Sequence, residues 1–126
     1  MKLAQFILPA LLMGVASLTH ALEIKPYSAA ALAAAEDAGQ PVAVHFHADW
    51  CPTCRAQDKA LHALKDEKDL DITILTADYD GEKELKRRFN VNSQSTLVVL
   101  KGKQEAARLV GDSSADGLRA ALKSAL

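Results

Sequence analysis

The hydrophobic pattern changes period several times along the chain, and each change marks a predicted element. Val42, Val44 and Phe46 alternate with Ala43, His45 and His47, the period of two expected of a strand with two different faces. After Trp50, Ala56, Ala60, Leu61 and Leu64 fall along one side of a predicted helix with charged residues opposite. Ahead of that strand, Ser28 is placed to cap a helix through the run Ala29 to Ala38, with Gly39 as its stop and Pro41 beyond. A second strand is predicted over Asp71 to Asp78 through Ile72, Ile74 and Leu75, followed by a short charged helix over Gly81 to Phe89. The unbroken apolar run Leu97 to Leu100 reads as a strand covered on both faces. Lys101-Gly102-Lys103 then turns into an edge strand over Ala106 to Val110, and Ser113 is expected to open a last helix carrying Leu118, Ala121, Leu122 and Ala125. Glu23 to Lys25 is a further short strand candidate. This order favours an α/β fold, a central mixed sheet flanked by helices on both faces.

The first segment follows a different rule. Met1 and Lys2 form a short positive end, Leu3 to Leu18 is uncharged and mostly apolar, and Thr19-His20-Ala21 offers small residues at the two positions a signal peptidase reads. Residues 1–21 are therefore expected to be a signal peptide cleaved after Ala21, with a single domain over residues 22–126. The alternative is an uncleaved anchor through residues 3–22, since a tilted span needs only about 17 to 25 residues; Pro9, Gly14, Ser17, Thr19 and His20 dilute it. Export through a bacterial-looking signal implies the periplasm, an oxidising compartment in which Cys51 and Cys54 are able to exist as a disulfide.

Composition narrows the function classes. Of 126 residues, 49% are apolar and 25% charged, an ordinary balance for one globular core. Fifteen basic residues against sixteen acidic leave a net charge of -1 with no long basic run, so nucleic acid is not an expected partner. Two cysteines cannot build a four-thiolate zinc site or a multiply stapled mini-protein.

Their placement is more informative than their number. Trp50-Cys51-Pro52-Thr53-Cys54 falls where a strand ends and a helix begins, so the N–H groups of the first helical turn are expected to point at the Cys51 sulfur and favour its thiolate. Cys54 lies one helical turn later, near enough to attack a mixed disulfide held on Cys51. Pro52 suits the first helical position and also removes one donor to that thiolate. Haem attachment is set aside because Arg55, not His, follows the second cysteine. Zinc or another soft ion would need His45 and His47 besides the cysteines, and a purely structural disulfide would close a loop too short to restrict the unfolded chain much. His62 reads as a solvated polar residue.

The segment Val42-Ala43-Val44-His45-Phe46-His47-Ala48-Asp49-Trp50-Cys51-Pro52-Thr53-Cys54-Arg55 resembles the active-site segment of the thioredoxin superfamily. The stretch Phe89 to Gly102 resembles the part of that family leading into its third core strand, and the element order fits from Pro26 to Leu126. Together with the signal, the chain resembles periplasmic thioredoxin-like proteins. The resemblance implies a thioredoxin fold, Cys51 as nucleophile, Cys54 as resolving thiol, and Trp50 as the aromatic flank of a substrate groove. It also implies disulfide-bearing protein substrates and a membrane or soluble redox partner that resets the pair, with no cofactor and a monomeric state expected.

Four departures bear on that resemblance. Where the family has a cis-proline before the Thr that opens the third core strand, this chain has Ser95, between Gln94 and Thr96. A cis bond without proline costs about 2.5 to 4 kcal/mol, so a trans Gln94–Ser95 bond is expected, re-aiming this backbone. Ser95 also removes a ring that shields the sulfurs, which favours a metal or an unusual substrate. His45 stands where many thioredoxins carry a buried acid that handles the resolving thiol's proton; its imidazole either takes over that work or is a satisfied buried histidine. Thr76 replaces the lysine often paired with that acid, and His47 replaces an aromatic residue. The expected function is thus a thiol-disulfide oxidoreductase leaning toward reduction, tuned by Pro52, Thr53 and His45. The alternative is a metal- or protein-binding module using His45, His47, Cys51 and Cys54.

Overall fold

The structure, a computed structural model, describes residues 21–126. The expected signal segment lies outside the described residues except for Ala21. Among the described residues, no helix is long and apolar enough to cross a membrane.

The elements run β1 (Glu23–Pro26), α1 (Ala29–Asp37), β2 (Pro41–His47), α2 (Pro52–Ala63), β3 (Thr73–Asp78), α3 (Lys83–Arg88), β4 (Thr96–Lys101), β5 (Gln104–Val110) and α4 (Ala115–Lys123), with a single 3₁₀ turn at Leu64–Asp66 extending α2. The sheet order is β1-β3-β2-β4-β5. β3 pairs in parallel with β1 and β2, while β4 is antiparallel to both β2 and β5, which is the mixed sheet expected. β2 is therefore central, and its run Val42 to Phe46 is buried throughout.

Two cores flank the sheet. On one face Ala43, Ile74, Leu97 and Val99 meet Leu61 and Leu64 of the α2 end and Leu118 and Leu122 of α4. On the other, Val42, Val44, Phe46, Leu75, Val98 and Leu100 meet Leu32 of α1 and Leu85 of α3. Burying such side chains stabilises the fold by roughly 1.5 to 3 kcal/mol each. Leu22, at the start of the expected domain, already belongs to the first core.

Local signals explain most boundaries. The Ser28 hydroxyl accepts from Ala31 N at 3.1 Å, and Gly39 follows α1 with φ +66°, a left-handed stop that glycine adopts without strain. In the β4–β5 turn a Cβ on Gly102 would lie 3.1 Å from the Gly39 Cα, so the two glycines let the turn pack on the end of α1.

The structure corrects three expectations. α4 is capped by Ser114 rather than Ser113, because the Asp112 carboxylate accepts from both the N–H and the hydroxyl of Ser114 and sets the turn one residue later. β5 begins at Gln104, two residues early, with a bulge opposite Val99/Leu100. The buried stripe of α2 is Cys54, Gln57 and Leu61, continued by Leu64; Ala56 is exposed and Ala60 only half-buried. An amide thus occupies a core position where sequence patterning looked for alanine.

Candidate active site

β2 ends at His47, and the turn closes with Cys51 N donating to Ala48 O at 3.1 Å. Cys51 is the N-cap of α2 with an extended backbone, φ −90° and ψ 113°, and Pro52 occupies the first turn. A proline lacks only an N–H that an α-helix leaves unpaired there, so it starts the helix at no cost in hydrogen bonds. The cap is made by sulfur: Cys54 N donates to Cys51 Sγ at 3.1 Å. Both cysteines are free thiols and both are buried.

The two thiols sit in unequal surroundings. Burial alone would raise Cys51, but hydrogen bonds from the Cys54 thiol, the Ser95 hydroxyl and the backbone N–H groups of Cys54 and Thr53 outweigh it and hold Cys51 below the ordinary thiol range. For Cys54 burial dominates, and donation toward Cys51 adds to it, so its thiol is pushed up. The arrangement thus supplies one thiolate and one retained proton.

Ser95 stands over both sulfurs. Its Oγ is 3.2 Å from Cys51 Sγ and 3.1 Å from Cys54 Sγ. No cis peptide bond occurs among the described residues, so the Gln94–Ser95 bond is trans as expected, and the chain instead turns through a left-handed Ser95, φ +63°. The backbone is re-aimed inward: Ser95 N donates to Phe46 O, while Ser95 O accepts from Gly111 N and from Gln57 Nε2 at 3.0 Å. Ser95 itself is buried, so the sulfurs are covered by a hydroxyl rather than left open by the lost ring. Thr96 opens β4 beside it, with its hydroxyl donating to Ser93 O at 2.8 Å.

Gln57, which sequence reasoning missed, organises the buried side of the site. Its Nε2 donates to Ser95 O and, at 2.9 Å, to Asp112 O, and its Oε1 lies 2.9 Å from His45 Nε2. Two carbonyl partners fix the amide orientation, since carbonyls only accept, so His45 Nε2 must carry the proton and donate to Oε1. Neutral His45 therefore keeps a bare Nδ1, which is buried without a partner. Burial pushes the His45 pKa down, and the Gln57 bond only partly offsets it. His45 is thus satisfied on one nitrogen and available as an acceptor on the other. The only sequence signal for Gln57 was its α2 position, three residues after Cys54 and four before Leu61.

The remaining predicted residues form the rim and flank. Trp50 is 58% exposed, and its Nε1 donates to Asp80 Oδ2 at 2.7 Å. Pro52 and Thr53 are exposed on the first turn of α2. His47 lies on the His45 side of β2, with ring centroids 5.7 Å apart, and its Nε2 is 3.8 Å from Asp49 Oδ1. Thr76 is the β3 register partner of His45. Exposed His62 turns its Nδ1 to Asp58 O, as a solvated residue does. Among the described residues, no group of three or more His, Cys, Asp or Glu is placed to hold a metal ion. Strand β2 points His45 at Gln57, and Ser95 occupies the space beside the sulfurs.

Residues 27–124 match the family model for thioredoxin. A thioredoxin of Mycobacterium tuberculosis is 36% identical over 72 residues, covering 57% of this chain and 62% of that relative. The chain thus matches somewhat less than two thirds of that relative's length. The crystal structure of Trxlp from Edwardsiella tarda EIB202 is 35% identical with a TM-score of 0.75, over 79% of this chain and 98% of that one. Thioredoxin O2 of Arabidopsis thaliana, solved in its oxidized state, is 27% identical with a TM-score of 0.65, over 79% of this chain and 90% of that one.

Proposed function

The chain belongs to the thioredoxin family, and on that footing we propose that it is a thiol-disulfide oxidoreductase of the periplasm that reduces protein disulfides. The observation that carries this reading is the inequality of the two thiols, a low Cys51 at a helix N-cap and a raised Cys54 one turn behind it. The Cys51 thiolate attacks one sulfur of a substrate disulfide; a new S–S bond forms and the other substrate sulfur leaves as a thiolate. Cys54 then gives up its proton and attacks Cys51 Sγ, which breaks the mixed disulfide and releases the second substrate sulfur. Two electrons pass from the cysteine pair to the substrate, and the Cys54 proton leaves with the products. A dithiol-bearing membrane or soluble partner resets the oxidised pair. The exposed indole of Trp50 beside the N-cap supplies an apolar surface for an extended protein segment.

Equilibrating the protein against glutathione redox buffers, with Trp50 fluorescence as the probe, tests the activity, since Trp50 is the only tryptophan. A reversible two-electron transition is expected, with a midpoint nearer that of reductants than that of strong oxidants. No transition would sink the reading, and an oxidant-like midpoint would reverse the direction. Location rests on the sequence pattern of residues 1–21, and Leu22 in the core suits a domain that begins just after it. Amino-terminal sequencing of the exported protein is expected to start at Leu22; a retained Met1 would contradict cleavage.

A further inference from the structure

A single hydroxyl lies within hydrogen-bond reach of both sulfurs, and the fold goes to some lengths to hold it there. Ser95 occupies the left-handed region, where a non-glycine residue is strained by about 1 to 3 kcal/mol. Three bonds keep it so: Ser95 N to Phe46 O at 3.1 Å, Gly111 N to Ser95 O at 3.0 Å and Gln57 Nε2 to Ser95 O at 3.0 Å. They tie it to β2, to the residue after β5 and to α2, so its Cβ cannot swing away from the cysteines. With the main chain held, rotation about Cβ–Oγ re-aims the hydroxyl hydrogen without moving the backbone.

A serine hydroxyl offers one hydrogen and two acceptor lone pairs. At 3.2 Å from Cys51 Sγ and 3.1 Å from Cys54 Sγ it cannot donate to both. It can accept from one while donating to the other. In the reduced protein the Oγ hydrogen donates to the Cys51 thiolate, toward which the Cys54 S–H also donates.

We propose that Ser95 is a third catalytic residue, whose hydroxyl donates in turn to whichever cysteine sulfur carries the negative charge. The proposal rests on the dithiol reading above and adds a step-by-step role for the hydroxyl. While Cys51 is the nucleophile, the Ser95 O–H stabilises its charge. Once Cys51 Sγ is bonded to a substrate sulfur it is neutral and a weak acceptor, and the hydrogen turns about Cβ–Oγ to Cys54 Sγ. There it stabilises the thiolate that forms as Cys54 passes its proton to the departing substrate thiolate. Cys54 attacks Cys51 Sγ, the mixed disulfide breaks, and the hydroxyl has neither gained nor lost a proton. In this way a residue whose main-chain polar groups are both committed to the fold takes part through its side chain alone.

Ser95→Gly and Ser95→Ala separate the hydroxyl from the backbone. Both remove the oxygen, but glycine accepts φ +63° freely and alanine does not. Two quantities are read in wild type and both variants: the thiolate titration of Cys51 by ultraviolet absorbance, and the decay of the mixed disulfide formed with oxidised glutathione. Both variants are expected to move the titration up by about one pH unit and to slow the decay about tenfold, the size of one hydrogen bond to a charged group. Ser95→Gly with the wild-type titration and decay would overturn the proposal and assign any alanine effect to the backbone. A shifted titration with an unchanged decay would overturn the hand-over to Cys54. A wild type with no reversible dithiol transition in glutathione buffers would overturn the oxidoreductase reading and this proposal with it, whereas a normal wild type with a silent glycine variant would sink this proposal alone.

Discussion

Gln57 Nε2 donates to the main-chain oxygen of Ser95 at 3.0 Å, joining the helix that carries the second cysteine to the residue that covers both sulfurs. The same amide reaches Asp112 O and accepts from His45, so one side chain ties α2 to β2, to the entry of β4 and to the loop after β5.

Replacing Gln57 by Leu keeps the side chain's approximate volume but leaves the His45 Nε2–H and Asp112 O without their partner. A buried polar group stranded in this way costs about 1 to 3 kcal/mol. The variant is expected to lose about 2 to 4 kcal/mol, with Tm lower by at least about 8 °C in a domain of this size. A thermal melt within 2 to 3 °C of wild type would show that the network carries little of the stability.

His45 predicts how stability depends on pH. Its folded-state pKa lies below the ordinary value of 6.5 because burial disfavours the cation. Below pH 6.5 the unfolded chain therefore binds a proton that the folded one refuses, and stability falls as pH drops toward the folded pKa, by up to about 1.4 kcal/mol per pH unit. Above pH 6.5 this contribution is fully present. Urea unfolding from pH 7.5 to 4.5 should show that slope, and His45→Phe should flatten it. Nitrogen NMR of the ring is expected to show the Nε2–H tautomer at pH 7; the Nδ1–H form would contradict the Gln57 orientation.

The two cysteines are expected to behave differently when replaced singly. Cys51→Ser should bring disulfide reduction of a test protein such as insulin down to background, because the attacking thiolate is gone. Cys54→Ser should instead accumulate a mixed disulfide on Cys51, visible by mass spectrometry and released by dithiothreitol. Equal residual activity in the two variants would refute the assigned roles.

Trp50 and Asp80 offer a check that leaves the core untouched. Their 2.7 Å bond lies at the surface, so Asp80→Ala should cost no more than about 1 kcal/mol. It should nevertheless alter the Trp50 emission spectrum, because the indole loses its charged acceptor. A large loss of stability would mean that the indole is held for folding rather than for presentation.

Much of this protein is legible along the chain because its elements are decided locally. Ser28 caps α1 through a residue three positions on, Gly39 stops it by its own backbone freedom, and the placement of Cys51 ahead of Pro52 puts a sulfur at a helix start. The unbroken apolar run of β4 announces a strand covered on both faces, and the strand and helix order leads to the mixed sheet. Tertiary structure alone decided the rest. Gln57 reads as one more polar helix residue until the fold brings up partners 12, 38 and 55 positions away, and only their three polar groups make a buried amide stable. The sequence marks Ser95 as the residue standing where the family has a proline, but not that its hydroxyl reaches both sulfurs. Its contacts with sulfurs 44 and 41 residues earlier exist because β2 and β4 pair side by side, which closes a long loop and sets one hydroxyl between the two thiols.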